Sequence, residues 1–400
     1  MLKSLYLYTR FFGRSFLSGW RRNFLLHDLE RYRKIDFRDV PSAGKEKRED
    51  AIHRAAEWLL RAQQMMADDG FGSWHMVDGW SASYPETSGY IIPSLLNYSE
   101  SFNKEEIKPA LIKSADWLVS IQKENGGWQG GRIGENKPAI VFNTAQIIRG
   151  LLAIHQLTGI RLYLDSSVRA ADWLCEVQEE EGFWKKNALM NTARVYDSYV
   201  DVPLAQMWKV TGDKKYRTCA EKNLEWIIRK KQKANGWFYD CDNTVKRNDK
   251  PILHTIAYTI DGLIDCGEYF QNNDYISAAE KAAGVLRDKF SEKGYLNGRY
   301  DENWNGSEYI LTTGCAQMAI NWMKLYALKG NAAYKAAADQ MIDLLVFIID
   351  RGNYDTADTK GALPGSFPVW GKYEPFAFPN WGTKYLLDAL LMNKKLQDEK

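Results

Sequence analysis

The chain of 400 residues holds only five cysteines, Cys175, Cys219, Cys241, Cys266 and Cys315, and no two of them make a CxxC pair. Their odd number and wide spacing exclude a disulfide framework and a zinc-type ligand pattern, so a reducing, cytoplasmic compartment is expected. No apolar run reaches the roughly 18 residues of a spanning helix. Charge of either sign is not in excess: 53 Lys and Arg stand against 51 Asp and Glu, for a net charge of +2. That balance excludes a general nucleic-acid role. There is no P-loop and no Gly-x-Gly-x-x-Gly after a strand, so no nucleotide cofactor is expected. Asp240, Asp242 and Asn243 carry hard oxygens suited to calcium. They do not meet the EF-hand pattern and read as a solvated turn, so no metal is expected.

Aromatic residues, by contrast, are plentiful, with 15 Trp and 22 Tyr. Many of them recur in register. Ala115-Asp116-Trp117-Leu118 leads to Gln122 and then to Gly126-Gly127-Trp128. The same order appears in Trp58, Gln63 or Gln64, and Gly70 to Trp74; in Trp173, Gln178 and Gly182-Phe183-Trp184; and in Trp226, Gln232 and Gly236-Trp237. The helix tryptophans Trp58, Trp117, Trp173 and Trp226 are 59, 56 and 53 residues apart. A period of this length marks a repeated supersecondary unit.

Each unit reads as two helices around a Gly-rich corner. The first helix begins near Lys47 and ends near Met65, and its partner starts after Pro85 and Glu86. The following pairs are expected at 106–122 and 141–157, 166–178 and 195–210, 214–232 and 252–269, 275–290 and 308–328, and 332–350 and 379–393. First helices are charged, as in Lys214 to Lys233, and suit a solvated layer. Second helices carry few charges and many small residues, as in Phe142 to Leu157, and suit burial on several sides. Six such hairpins close into an all-α double ring, an (α/α)6 toroid, and closure removes the ends that an open solenoid must cap. The expected organisation is a basic, aromatic N-terminal extension over 1–40 and a single toroid over 41–400.

Residues 1–38 contain nine Lys or Arg, three acids and the interleaved aromatics Tyr6, Tyr8, Phe11, Phe12, Phe16 and Trp20. Arg10 and Arg14 interrupt the best apolar stretch, so no signal peptide is expected. Two readings of this arm stand open. It rests on an anionic membrane surface, or it packs on the main domain.

The pattern Trp-Leu-x3-Gln-x3-Gly-Gly-Trp around Trp117 to Trp128 resembles the QW repeat of squalene and hopene cyclases. It is also similar to the corners of toroid polysaccharide lyases and related sugar enzymes. The resemblance covers residues 48–392 as architecture. It implies that Gln122 and Gln178 tie down backbone ends and that Trp128 and Trp184 stack on the neighbouring turn. The acidic Asp-x-Asp-Asp run of the cyclases is absent. Asp240-Cys241-Asp242-Asn243 is a partial echo, and a terpene-cyclase-like activity is disfavoured.

In a closed ring, the loops joining outer to inner helices converge on one mouth, where a few polar groups make a site. Their candidates are Trp74, His75, Tyr84 and Glu86 from the first pair; Arg132 and Asn143 from the second; Arg194, Tyr196, Asp197 and Asp201 from the third; and His254 and Tyr258 from the fourth. The fifth adds Arg299, Trp304, Glu308 and Tyr309, and the sixth adds Tyr373, Glu374 and Trp381. His254 and Tyr258 are four apart and share a helix face. The catalytic set is expected among His254, Tyr258, Tyr196, Glu86, Asp197 and Glu308, with the remainder apart from Asp201 binding substrate.

The leading expectation is modification of a uronic-acid-containing polysaccharide or oligosaccharide by C5-proton abstraction, as epimerase or lyase. His254 or Tyr258 acts as base, and Arg132, Arg194 or Arg299 neutralises the developing charge. The alternative is a glycoside hydrolase with a carboxylate pair drawn from Glu86, Asp197, Asp201, Glu308 and Glu374. A third reading is a glycan-binding or assembly protein without turnover. An enzyme stripped of its acid or base keeps ligand affinity and loses product, whereas a binding module never forms product.

Overall fold

The computed structural model describes residues 2–398, without the side chains of residues 2–5, 7 and 15–17. Two helices form the arm, α1 (Leu2–Leu17) and α2 (Gly19–Lys34). Six hairpins follow: α3 (Lys45–Gln64) with α4 (Pro85–Phe102), α5 (Lys108–Ser120) with α6 (Val141–Thr158), and α7 (Arg161–Glu176) with α8 (Ser198–Thr211). Then come α9 (Lys214–Trp226) with α10 (Leu253–Phe270), α11 (Asn273–Lys293) with α12 (Thr312–Lys329), and α13 (Ala332–Ile349) with α14 (Asn380–Asp398). The inner helices α4, α6, α8, α10, α12 and α14 touch in that order, and α14 returns to α4, so the ring closes. The expected (α/α)6 toroid is the observed fold.

The recurring corner is held by its glutamine. Gln122 donates to the Gly126 carbonyl at 2.7 Å and to the Ser166 carbonyl of the next outer helix at 2.9 Å. Gln178 repeats this with Gly182 at 2.7 Å and Cys219 at 2.8 Å. Gln232 does so with Gly236 at 3.3 Å and Ala278 at 2.7 Å. Each amide thus ties a corner glycine carbonyl to a carbonyl inside the next outer helix. Trp128 and Trp184 are fully buried and donate to the Leu118 and Leu174 carbonyls at 2.7 and 2.8 Å. The glutamines hold the corner backbone as the QW resemblance implies, whereas Trp128 and Trp184 bond to their own outer helices.

Positive φ at the corner glycines lets the chain meet its neighbour. A Cβ on Gly182 (φ +99°) would lie 2.5 Å from the Lys222 carbonyl oxygen. The sixth corner closes the circle, because Gly361 abuts the backbone of Arg54 on α3, and Trp58 donates to the Asp358 carbonyl at 2.9 Å. Between inner helices the small residues permit close crossings: a Cβ on Gly89 of α4 would sit 2.5 Å from Ile147 Cα of α6.

The arm packs on the toroid. Phe11 is fully buried and stacks on Phe376 with ring centres 3.8 Å apart, and Phe24 meets Phe378 at 6.1 Å. Arg14 and Arg21 donate to the Val77 and Met76 carbonyls, each at 2.7 Å. Asp28, 1 % exposed, accepts from the Val369 amide at 2.8 Å, and burial raises its pKa. Tyr6 and Phe12 face outward, and Phe16 lies outside the described side chains. Among the described residues, no helix is long and apolar enough to cross a membrane.

Burying a large apolar side chain stabilises by roughly 1.5–3 kcal/mol. Deleting residues 1–40 withdraws Phe11 and Phe24 and uncovers Phe376 and Phe378. The expected result is a melting temperature lower by about 5 °C or more, with increased binding of an apolar dye. An unchanged melting curve from calorimetry would show that the arm adds nothing to the folded core.

Candidate active site

The long outer-to-inner loops meet at one end of the barrel. The first loop folds as a short ladder, in which Trp74–His75 pairs with Gly79–Trp80 on one side and with Ala377–Phe378 of the sixth loop on the other. It delivers Tyr84 and Glu86 to the first turn of α4. In the third loop Val195–Asp197 is a 3-10 turn, and α8 starts only at Ser198. The expected helix from 195 is therefore broken, and this turn presents Arg194, Tyr196 and Asp197.

These groups are deeply buried: Glu86 is 8 % exposed, Asp197 2 % and Arg194 1 %. Burial raises the Glu86 carboxyl to about 7, opposed by Tyr84, and raises Asp197 to about 8, opposed by the Arg194 cation. Burial raises the Tyr196 hydroxyl well above its ordinary value, with Asp197 and Glu86 adding to the rise and Arg194 opposing it. None of the three Arg194 guanidinium nitrogens completes a hydrogen bond, and neither does Asp197 Oδ2 or Arg132 Nε. Asn143 donates to the Tyr84 hydroxyl at 3.3 Å.

Aromatic rings complete the mouth. Trp381 donates to the Tyr373 hydroxyl at 2.8 Å, and its ring lies 6.3 Å from Tyr84. Phe142 contacts Tyr196 at 5.5 Å and Tyr258 at 5.1 Å. His254 stands over Tyr258 at 4.4 Å and near Tyr373 at 5.7 Å. The structure thus brings Tyr84, Glu86, Asn143, Arg194, Tyr196, Asp197, His254, Tyr258, Tyr373 and Trp381 into one region, with Arg132 beside Tyr84.

Two expected bases are not suited to that task. His254 Nδ1 pairs with Gln317 Oε1 at 2.8 Å, and since that oxygen only accepts, Nδ1 carries the proton. Burial then lowers the His254 pKa to about 4. Burial and Glu86 raise the Tyr258 hydroxyl well above its ordinary value, so it keeps its proton.

Several other expected site residues are structural. Arg299 donates to Asp242 at 2.7 Å and lies 3.4 Å from Glu308, which also faces Arg247 at 3.5 Å and Lys372 at 3.4 Å. Neither is available as an independent substrate cation or acid. Trp304 is buried and donates to the Asn235 carbonyl at 3.1 Å. Trp74 is buried between Trp20 and Phe378. His75 bridges the Val77 amide and the Pro375 carbonyl. Tyr309 packs edge-on to Tyr32 of the arm, and Glu374 lies on the sixth-loop rim beside Tyr373. Asp201 turns away from the mouth and accepts from Asn223 of α9 at 2.7 Å. It does not extend the row of Arg194 and Asp197, because the 3-10 turn breaks the helical register.

Asp242 is filled by the Ile252 and Thr244 amides and by Arg299, and Asp240 by Lys231. Among the described residues, no cluster of three His, Cys, Asp or Glu is placed to hold a metal. Gln317 and Phe142 were missed. A lone glutamine one turn into an inner helix was the available sign for the first, and nothing marked the second.

A cavity of about 1290 Å³ lies at the opposite end, among the C-terminal halves of the inner helices. Of its acids, Asp261, Asp265 and Asp388 are held by lysines. At the mouth, by contrast, the buried Glu86 and Asp197 carboxyls have no lysine partner.

Fold and mouth together define a closed (α/α)6 toroid with buried carboxyls at one end. The chain belongs to the family described as beta-L-arabinofuranosidase, GH127 catalytic domain, whose model matches residues 87–298. In structure it is similar to an unsaturated glucuronyl hydrolase specific for heparin, with a TM-score of 0.68 and 14 % identity over 89 % of this chain and 99 % of that one. In sequence it is similar to the terpene cyclase/mutase ntnI of a Nectria species, 23 % identical over 48 % of this chain and 28 % of that protein. It is also similar to the squalene–hopene cyclase of Zymomonas mobilis, 25 % identical over 37 % and 21 % of the two chains. The chain spans about a quarter of the length of these curated relatives. The family match favours the hydrolase alternative and corrects the epimerase or lyase reading, for which His254 is too weak a base and Tyr258 keeps its proton.

Proposed function

We propose that this chain is a glycoside hydrolase acting on a uronate-bearing oligosaccharide, with residues 41–400 as its single catalytic domain. The observation that carries this reading is two buried carboxyls that flank Tyr196, Glu86 on one helix and Asp197 beside an Arg194 with open donors. Asp197 has the higher pKa and holds the proton at neutral pH, and Glu86 is the first to lose its own. Asp197 gives its proton to the glycosidic oxygen as the bond to the anomeric carbon breaks. Glu86 takes a proton from the water whose oxygen forms the new bond to that carbon. Arg194, with Arg132 nearer the surface, pairs with the sugar carboxylate. Tyr84, Tyr196, Tyr373 and Trp381 flank the rings, and His254 stays neutral.

The assay compares an unsaturated glucuronyl disaccharide, its saturated counterpart and a β-L-arabinofuranoside, each followed by NMR for a new reducing end. Turnover is expected with a uronate substrate and without deuterium entering C5 from D2O. In Arg194→Gln, kcat/KM for that substrate is expected to fall about 100-fold, and for the matching methyl ester less than about threefold. Equal losses on both, or turnover of the arabinofuranoside alone, would remove the uronate assignment.

A further inference from the structure

The arm and the rest of the chain differ in charge. Residues 1–38 hold nine basic and three acidic residues, a surplus of six. That leaves 44 basic against 48 acidic residues in the remainder, a deficit of four. The positive balance of the whole protein therefore sits in the arm. Part of that charge is neutralised locally. Arg10 pairs with Asp78 at 2.7 Å, Arg38 with Asp36 at 2.5 Å, and Lys34 with Glu30. Arg14 and Arg21 end on backbone carbonyls of the first loop, which carry no countercharge. Arg22 and Arg33 are exposed, and among the described residues no carboxylate stands within ion-pair distance of either.

The outer side of the arm also carries large apolar groups. Helices α1 and α2 touch each other, and each buries one side on the stretch from Phe376 to Phe378, so their other sides turn outward together. There Tyr6 is 64 % exposed, Phe12 50 % and Leu26 57 %. Leu26 stands one turn from Arg22 and two turns from Arg33, on one face of α2. Apolar side chains interleaved with unpaired arginines fit the boundary where negative lipid headgroups meet acyl chains. A dissolved polyanion would use the arginines and leave the rings in water. A second copy of the chain would set the same positive surplus against its own.

We propose that the outer side of the arm docks on an anionic phospholipid bilayer. The arm lies on the first and sixth loops, so docking brings the mouth end of the ring to the membrane. This does not depend on the roles given to Glu86 and Asp197. The test is sedimentation of the full chain with phosphatidylcholine vesicles, with and without about 30 % phosphatidylglycerol. Binding to the anionic vesicles is expected to be tighter by about tenfold or more, and to weaken as NaCl rises from about 0.1 to 0.5 M. Two variants of exposed residues, first checked by melting curve, separate the contributions. Arg22→Gln with Arg33→Gln, and Tyr6→Ser with Phe12→Ser, are each expected to weaken binding about tenfold. The proposal is overturned if anionic vesicles are not bound, if pure phosphatidylcholine is bound equally well, or if the arginine variant binds like the wild type. Binding that survives loss of both rings would assign the face to dissolved polyanions. A dimer that the ring variant dissolves, without vesicle binding, would assign it to a second copy, and either result also overturns the proposal.

Discussion

Asp197→Asn is expected to lower kcat by about 1,000-fold with KM nearly unchanged, within the ~10²–10⁴ that a positioned general acid contributes. The substitution keeps the size of the side chain beside Arg194 and removes only the proton it delivers. Leaving groups that need no protonation should therefore escape the loss. A 2,4-dinitrophenyl glycoside of the same sugar should be hydrolysed within about tenfold of the wild-type rate. The pH dependence has a fixed sign. Glu86 must be deprotonated, so kcat/KM rises as pH passes about 7, and Asp197 must be protonated, so it falls as pH passes about 8. The variant should lose the alkaline fall and keep the acid rise. An unaltered alkaline limb would assign the acid to another group, and a loss of equal size on both leaving groups would argue for a structural role.

Trp184→Ala is expected to destabilise the chain by about 3–5 kcal/mol, the range for removing a buried aromatic from a packed core. Trp184 is fully buried, and its indole donates to the Leu174 carbonyl at 2.8 Å at the end of an outer helix. Deleting the ring opens a cavity and also strands that carbonyl. Trp184→Phe keeps most of the volume and loses only the donor, which leaves a cost of about 1–3 kcal/mol. Denaturant midpoints for the two variants should fall in that order. A larger effect from the phenylalanine variant would show that the hydrogen bond, not the ring, organises the corner.

The hairpins were legible because each depends on residues close in sequence. A Trp, a Gln four residues before a positive-φ Gly, and a closing Trp act within one corner, as in Trp173, Gln178, Gly182 and Trp184. Their local period announces them, and the inner helices betray burial by composition alone. The mouth was legible only in part. Glu86, Asp197, Arg194, Tyr196 and Tyr84 were found because they sit where a loop enters an inner helix. Arg299, Glu308, Trp304 and Trp74 have the same types in the same loops, yet they serve ion pairs and core packing. Residue type and position do not distinguish these roles, because the partner that decides each one comes from another repeat or from the arm.

The sequence by itself determined the repeating unit, the number of hairpins and which layer each helix occupies, since helical period, corner residues and charge act over tens of residues. Only the tertiary structure decided that the arm lies across the first and sixth loops, that His254 is a weak base held by Gln317, and that Asp201 is buried against α9 while Asp197 faces the mouth. It also decided that Asp261, Asp265 and Lys324 gather at the far end of the barrel. Proton affinity and ion pairing depend on burial and on distances between residues far apart in the chain. Those quantities take their values only when the ring has closed.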